Sequence, residues 1–168
     1  MYETDEEIAR LQRLLNDSMS KAGSHVRSIF SPDHWLSARQ VCGFMQGVKQ
    51  VSVATVNSKE EPRVAPVDSV LFHGKFFIST DMRSFRARHL QKNPHMSLTY
   101  FESADPVIIA SGKADFVNKD DPDFASLDSE WVKTYGQSIL KLSDMVVFIR
   151  LNALTMLAYS LHPERFPS

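Results

Sequence analysis

A chain of 168 residues has room for one hydrophobic core and little more. With 43% apolar residues, 23% charged residues and a formal net charge of −1, it is composed like a globular domain, and its overall charge offers nothing to nucleic acid or an anionic membrane. Its single cysteine, Cys42, excludes an intramolecular disulfide, and no apolar run reaches the length of a bilayer span.

The N-terminal stretch MYETDEEIAR is acidic and polar, unlike a secretory signal, so a cytoplasmic location is expected. One domain is expected over residues 1–168, with a helical N-terminal extension over about 4–36. Thr4 to Met19 reads as an amphipathic helix. Thr4 and Glu7 form a capping-box pattern, Ile8, Leu11, Leu15 and Met19 recur at helical spacing, and Gly23 ends the run. Its docking site is open, on its own domain or on a second subunit. Ser24 to Leu36 is expected to be irregular, with Trp35 as a packing anchor. A second capping box, Ser37 with Gln40, starts a helix whose apolar face is Val41, Phe44, Met45 and Val48, with Gly47 marking its end. Cys42 lies on it as an ordinary packed side chain.

From there the chain reads as β. Strands are expected at Val51 to Val56 and Arg63 to Phe72, with Pro62 and Pro66 demoting part of the second to an edge, bulge or bend. His73-Gly74 is a tight hairpin connection to a strand over Lys75 to Thr80. Asp81 and Met82 turn the chain. Ser84 caps a short basic helix carrying Arg86, Arg88 and Lys92, and Asn93-Pro94 stops it. Further strands are expected at Met96 to Phe101 and Val107 to Val117, with a kink or bulge at Gly112. Asp121-Pro122 is expected to start a helix whose stripe of Phe124, Leu127, Trp131 and Tyr135 is core or a subunit contact, ended by Gly136. Met145 to Arg150 and Thr155 to Tyr159 are the last strands. Six or seven strands with short turns argue for a mainly β (α+β) fold, an antiparallel barrel with peripheral helices.

The six histidines are scattered with no zinc-ligand spacing, and no P-loop, GxSxG or GxGxxG is present. The strand-turn-helix from Gly74 to Pro94 is the informative stretch. Ser79, Thr80, Arg83, Ser84 and Arg86 gather about a helix N-terminus, whose free N–H groups and partial positive charge suit a phosphate monoester. On local pattern alone, an ordinary strand-turn-helix with a solvated basic face is the favoured reading. Aromatic residues are not interleaved with the basic cluster as a nucleic-acid platform requires, so a compact phosphate fits it better than a polymer.

The succession VSVATVNSKEEPRVAPV, GKFFISTDMRSFRARHLQKNPHMSLTYFE and VIIASGKADFV resembles the pyridoxamine 5′-phosphate oxidase-like superfamily of flavin-binding split barrels, over about residues 37–117. The resemblance implies a homodimer with FMN at the subunit interface and flavin-mediated oxidation or reduction of a small molecule. It implies that Arg63 and the backbone of Val64, Ala65, Pro66 and Val67 lie beside the flavin. It places Ser79 and Thr80 at cofactor-contacting strand-end positions and Arg86 where a basic residue reaches the phosphate. Arg83 and Ser84 belong to the same turn. Three positions depart from the oxidases proper: Asp68 in place of a lysine, Phe85 in place of an arginine, and Val107 in place of a glutamine. The C-terminal Arg-His stretch that holds pyridoxal phosphate is missing as well, so pyridoxamine phosphate oxidation is not implied. The deazaflavin F420 is an alternative cofactor, with Arg88 and Lys92 beside its acidic tail. A non-catalytic module holding haem or a flavin is a further alternative.

Overall fold

The computed structural model describes residues 1–103 and 105–167. Six strands, β1 (Lys49–Val56), β2 (Pro62–Phe72), β3 (Lys75–Asp81), β4 (His95–Phe101), β5 (Val107–Val117) and β6 (Val146–Tyr159), close into an antiparallel barrel in the order β1-β2-β3-β6-β5-β4. Strand alternation divides the apolar residues between two clusters. Phe76, Ile78, Ile149 and Leu151 point into the barrel with Val51, Val53 and Leu98, whereas Phe77 and Phe148 point outward. Helix α5 (Phe124–Tyr135) covers the outward pair with Phe124, Leu127 and Trp131, so this part of the aromatic stripe is core.

The two capping boxes and the β2–β3 hairpin signal hold. Helix α1 (Asp5–Lys21) and helix α3 (Ala38–Phe44) both begin with complete capping boxes, from Thr4 with Glu7 and from Ser37 with Gln40. Helix α1 lays Ile8, Leu11 and Leu15 on its own barrel, and the Met156 amide of β6 donates to Ser18 Oγ at 2.9 Å. The β2–β3 hairpin turns on His73 and Gly74, both at positive φ (52° and 71°).

Three expectations are corrected. Residues 24–29 form a short helix, α2 (Ser24–Ile29), which buries none of its side chains and therefore leaves no apolar periodicity to detect. Helix α5 starts at Phe124 rather than with Pro122 in its first turn, and Asp121 Oδ1 accepts from the Asp123 amide ahead of it. The last two expected strands are one continuous strand. Its register against β5 shifts between Ser111 and Gly112, which pair with Thr155 and Ala153, so Leu154 is the extra residue of a bulge.

No helix among the described residues is long and apolar enough to cross a membrane, and none of their His, Cys, Asp and Glu side chains gather into a group able to hold a metal ion.

Candidate functional site

Where β3 ends, Thr80 is buried and Ile78 precedes it on the inward face. The chain then turns through Asp81–Arg83, and Ser84 caps helix α4 (Phe85–Lys92) by accepting from the Ala87 amide at 3.0 Å. Ser84 Oγ also lies 3.0 Å from Thr80 Oγ1. Arg86, on the first turn of α4, reaches back over both hydroxyls. Its guanidinium donates to Thr80 Oγ1 and to the Pro66 carbonyl of β2, each over a long 3.4 Å. Burial alone pushes the Arg86 pKa down, and among the described residues no carboxylate offsets it. Arg86 is thus a half-buried cation held by two stretched neutral contacts, beside the free N–H groups of a helix N-terminus.

The opposite wall is the first half of β2. Residues Pro62 to Pro66 are all exposed although they belong to a paired strand, because neither helix nor loop covers them. Arg63, Val64 and Ala65 face Ser84, Phe85, Arg86 and His89 across a cleft of about 230 Å³. The cleft brings together two segments that are 20 residues apart in the chain at the Pro66–Arg86 contact.

Two of the residues expected at the site, Ser79 and Arg83, turn their side chains away from this group. Ser79 pairs with Phe148, so alternation sets its side chain on the face covered by α5, opposite to that of Thr80. Arg83 turns to Asp81, with Nε and Nη2 at 2.9 and 2.7 Å from the two carboxylate oxygens, and this pairing drives the Asp81 pKa strongly down. Arg63 lines the cleft as expected, exposed and with its guanidinium paired to Glu61 at 2.8 Å. The Val67 side chain packs against the barrel core, leaving its backbone as the part that could border the site.

Two side chains that the residue patterns did not single out belong to this region. His89 lines the cleft, and its Nδ1 lies 3.0 Å from the hydroxyl of buried Thr55. Spacing gives this away only in hindsight, since His89 sits one turn after Phe85 on the same helix face. Tyr135, at the end of α5, donates its hydroxyl to Asp68 Oδ2 at 2.7 Å, a contact across 67 residues that no local pattern announces. Burial and this carboxylate push the Tyr135 pKa up to about 12.

Residues 38–158, well over half of the chain, match the family model described as pyridoxamine 5′-phosphate oxidase. No curated protein matches the sequence. Among solved structures, a conserved hypothetical protein from Mycobacterium tuberculosis superposes with a TM-score of 0.66 at 17% identity, over 83% of this chain and 94% of that one. HutZ, the heme storage protein from Vibrio cholerae, gives 0.60 at 18% identity over 73% and 95%. An F420 reductase gives 0.51 at 15% identity over 64% and 87%. At these identities the similarity is one of fold.

Proposed function

This chain belongs to the pyridoxamine 5′-phosphate oxidase family, and from that premise we propose that it is a flavin-dependent oxidoreductase whose cradle of Thr80, Ser84 and Arg86 holds the phosphate of FMN. The observation that carries this reading is Arg86, a half-buried guanidinium with no counter-ion among the described residues. A phosphate would supply that counter-ion and would accept shorter, charge-assisted bonds in place of the two 3.4 Å contacts. The Ala87 amide is already taken by Ser84 Oγ, so the Phe85 and Arg86 amides are the ones free to face the same anion.

The flavin ring would supply the redox chemistry. The chain's own part is to bind, orient and shield. Arg86 and the hydroxyls fix the phosphate, and the exposed backbone of Val64 to Pro66 borders the space beside it. Asp68 stands where the oxidases proper carry a lysine near the flavin, Tyr135 engages its carboxylate, and the Arg-His stretch that holds pyridoxal phosphate in those oxidases is missing. The substrate is therefore another small molecule, and no side chain is assigned as acid or base.

A second copy of the chain completes the site in this reading. The cleft, about 230 Å³, falls below the roughly 300 Å³ at which ligand pockets begin, and its outer side is open. The F420 reductase among the structural neighbours makes F420 the alternative cofactor, because one phosphate cradle serves either. A haem reading would turn on His89, the histidine that lines the cleft, whose Nδ1 is engaged by Thr55 so that Nε2 is the nitrogen left to meet a ligand.

Titration with FMN, followed by flavin fluorescence and absorbance, tests the proposal. The wild-type chain is expected to bind, and Arg86→Ala to weaken binding roughly 10- to 100-fold, the range of a lost charge-assisted contact. Absence of FMN binding removes the reading, tighter binding of F420 transfers it to that cofactor, and a Soret band on adding haem without flavin binding favours the storage role.

A further inference from the structure

One titratable side chain of the cleft, His89, is not among the three that form the cradle. It stands three residues after Arg86 on α4, so the two are neighbours on the helix surface. Helical side chains lean toward the N-terminus, which carries the imidazole back over the turn that opens the cradle. Its ring centroid lies 6.4 Å from that of Phe85. Both rings line the cleft of about 230 Å³ together with Ser84 and Arg86. His89 is only half-buried, so the ring is open to whatever fills that space.

The ring is anchored by a hydroxyl. Thr55 of β1 is buried, and its Oγ1 lies 3.0 Å from His89 Nδ1. A hydroxyl donates to a bare ring nitrogen and accepts from a protonated one, so this anchor holds the same orientation in either charge state. A carboxylate in that place would instead favour the charged ring. Nε2 is left to the cleft, and with either setting of the anchor it can present an N–H to an anion. The surrounding charges offer no competing acid. Helix α4 contributes Arg86, Arg88 and Lys92, and no acid occurs from Met82 to Phe101. Arg63 of β2 is paired with Glu61, and Asp81 at the end of β3 is paired with Arg83. Among the described residues the histidine ion pairs involve His73 and His162, so no carboxylate stands within 4.0 Å of His89.

We propose, on the flavin reading of the cradle, that His89 is a proton-dependent ligand of the phosphate held there, so that cofactor affinity falls as pH rises through the neutral range. In the imidazolium form Nε2–H donates a charge-assisted bond to the phosphate, and Nδ1–H donates to Thr55 Oγ1. In the neutral form Thr55 donates to Nδ1 and the Nε2–H bond loses its charge. An ordinary imidazole titrates at about 6.5, and an anion beside it favours the charged form. The contribution is therefore complete below about pH 6.5 and is lost as pH rises through the value the ring takes with phosphate bound. A phosphate monoester itself takes up a proton at about pH 6, which lowers its charge, so affinity is greatest at about pH 6 to 6.5. No other side chain of the cleft changes charge in this window, since Arg63 and Arg86 stay protonated throughout.

The test is the FMN dissociation constant of the full chain and of His89→Gln from about pH 6.5 to about pH 8.5 at fixed ionic strength. The wild-type constant is expected to rise about tenfold over this range, the worth of one charge-assisted contact. In His89→Gln it is expected to change by less than roughly threefold and to lie near the wild-type value at the alkaline end. Glutamine keeps a hydrogen-bond donor without the charge, so a merely structural His89 would alter affinity equally at every pH. Nitrogen-15 NMR of the wild-type ring gives a second reading that needs no variant. Saturating FMN is expected to move the His89 titration upward by about one pH unit, whereas riboflavin, which lacks the phosphate, leaves it in place. Equal pH slopes in wild type and variant, or a His89 titration that FMN does not move, overturn the proposal and leave the flavin reading standing. If FMN binds at no pH, both fall.

Discussion

At Gly112 an added Cβ would lie 2.1 Å from the Asn152 carbonyl oxygen and 2.8 Å from the Ala153 Cα. Both are backbone atoms of the neighbouring strand, so no rotamer change relieves the clash. The Leu154 bulge opposite is the geometry that brings the two backbones this close. Gly112→Ala is therefore expected to destabilise the fold by about 3 kcal/mol, read as a lower urea midpoint at unchanged slope. This position was legible in the sequence because a lone glycine in a run of β-formers marks a bulge or a close backbone approach. The directions of Ser79 and Arg83 were not. Both sit in the right segment, but strand alternation takes one side chain to the far face and the adjacent Asp81 captures the other. Residue type and spacing bring a segment to a site, whereas orientation follows from pairing that the sequence leaves implicit.

Helix starts were readable because a cap is a local device. Thr4 accepts from Glu7 N, and Glu7 Oε2 accepts from Thr4 N at 2.8 Å, all within a four-residue span. Helix α2 and the continuity of β6 were not readable, the first for want of a buried face and the second because Asn152 and the bulge imitate a break. The cap also ties α1 to the β2–β3 hairpin, since Glu7 Oε1 lies 2.8 Å from His73 Nδ1. Burial opposes ionisation of Glu7, but the Thr4 amide and His73 outweigh it and hold the carboxyl below its usual range. At Glu130 burial likewise opposes, and Lys133 and the Tyr2 hydroxyl outweigh it. A depressed carboxyl pKa contributes stability above the unfolded value of about 4.3, and that contribution is lost as pH falls through the folded value. The melting temperature is expected to drop from about pH 5 to pH 3, and Glu7→Gln to flatten that drop while lowering stability at pH 7.

Helix α5 covers the far ends of β2 and β5, at Val70, Phe72 and Val117, and leaves the outer surface formed by β1, β4 and the first halves of β2 and β5 without a helix packed on it. That surface presents Ser52, Ala54, Val64, Ser97, Thr99, Ile109 and Ser111, small or apolar side chains without charge. Val64 is 69% exposed and Ile109 40%. A second copy seated here would shelter the cleft as the proposed function requires. Sedimentation is expected to give a dimer at micromolar concentration, and Ile109→Lys to shift it toward monomer with weaker FMN binding. A wild-type monomer that binds FMN fully would reject this arrangement. Strand β6 has a consequence of another kind. It alone joins β3 to β5, so residues 1–145 by themselves reach only an open sheet in the order β3-β2-β1-β4-β5. During translation both rims of that sheet, one bearing Phe76 and Ile78 and the other Ile108, stay unpaired until residue 159 has cleared the exit tunnel. A chain that has emerged only as far as β5 is thus prone to clumping, and pairing of β6 is the step that removes both open rims.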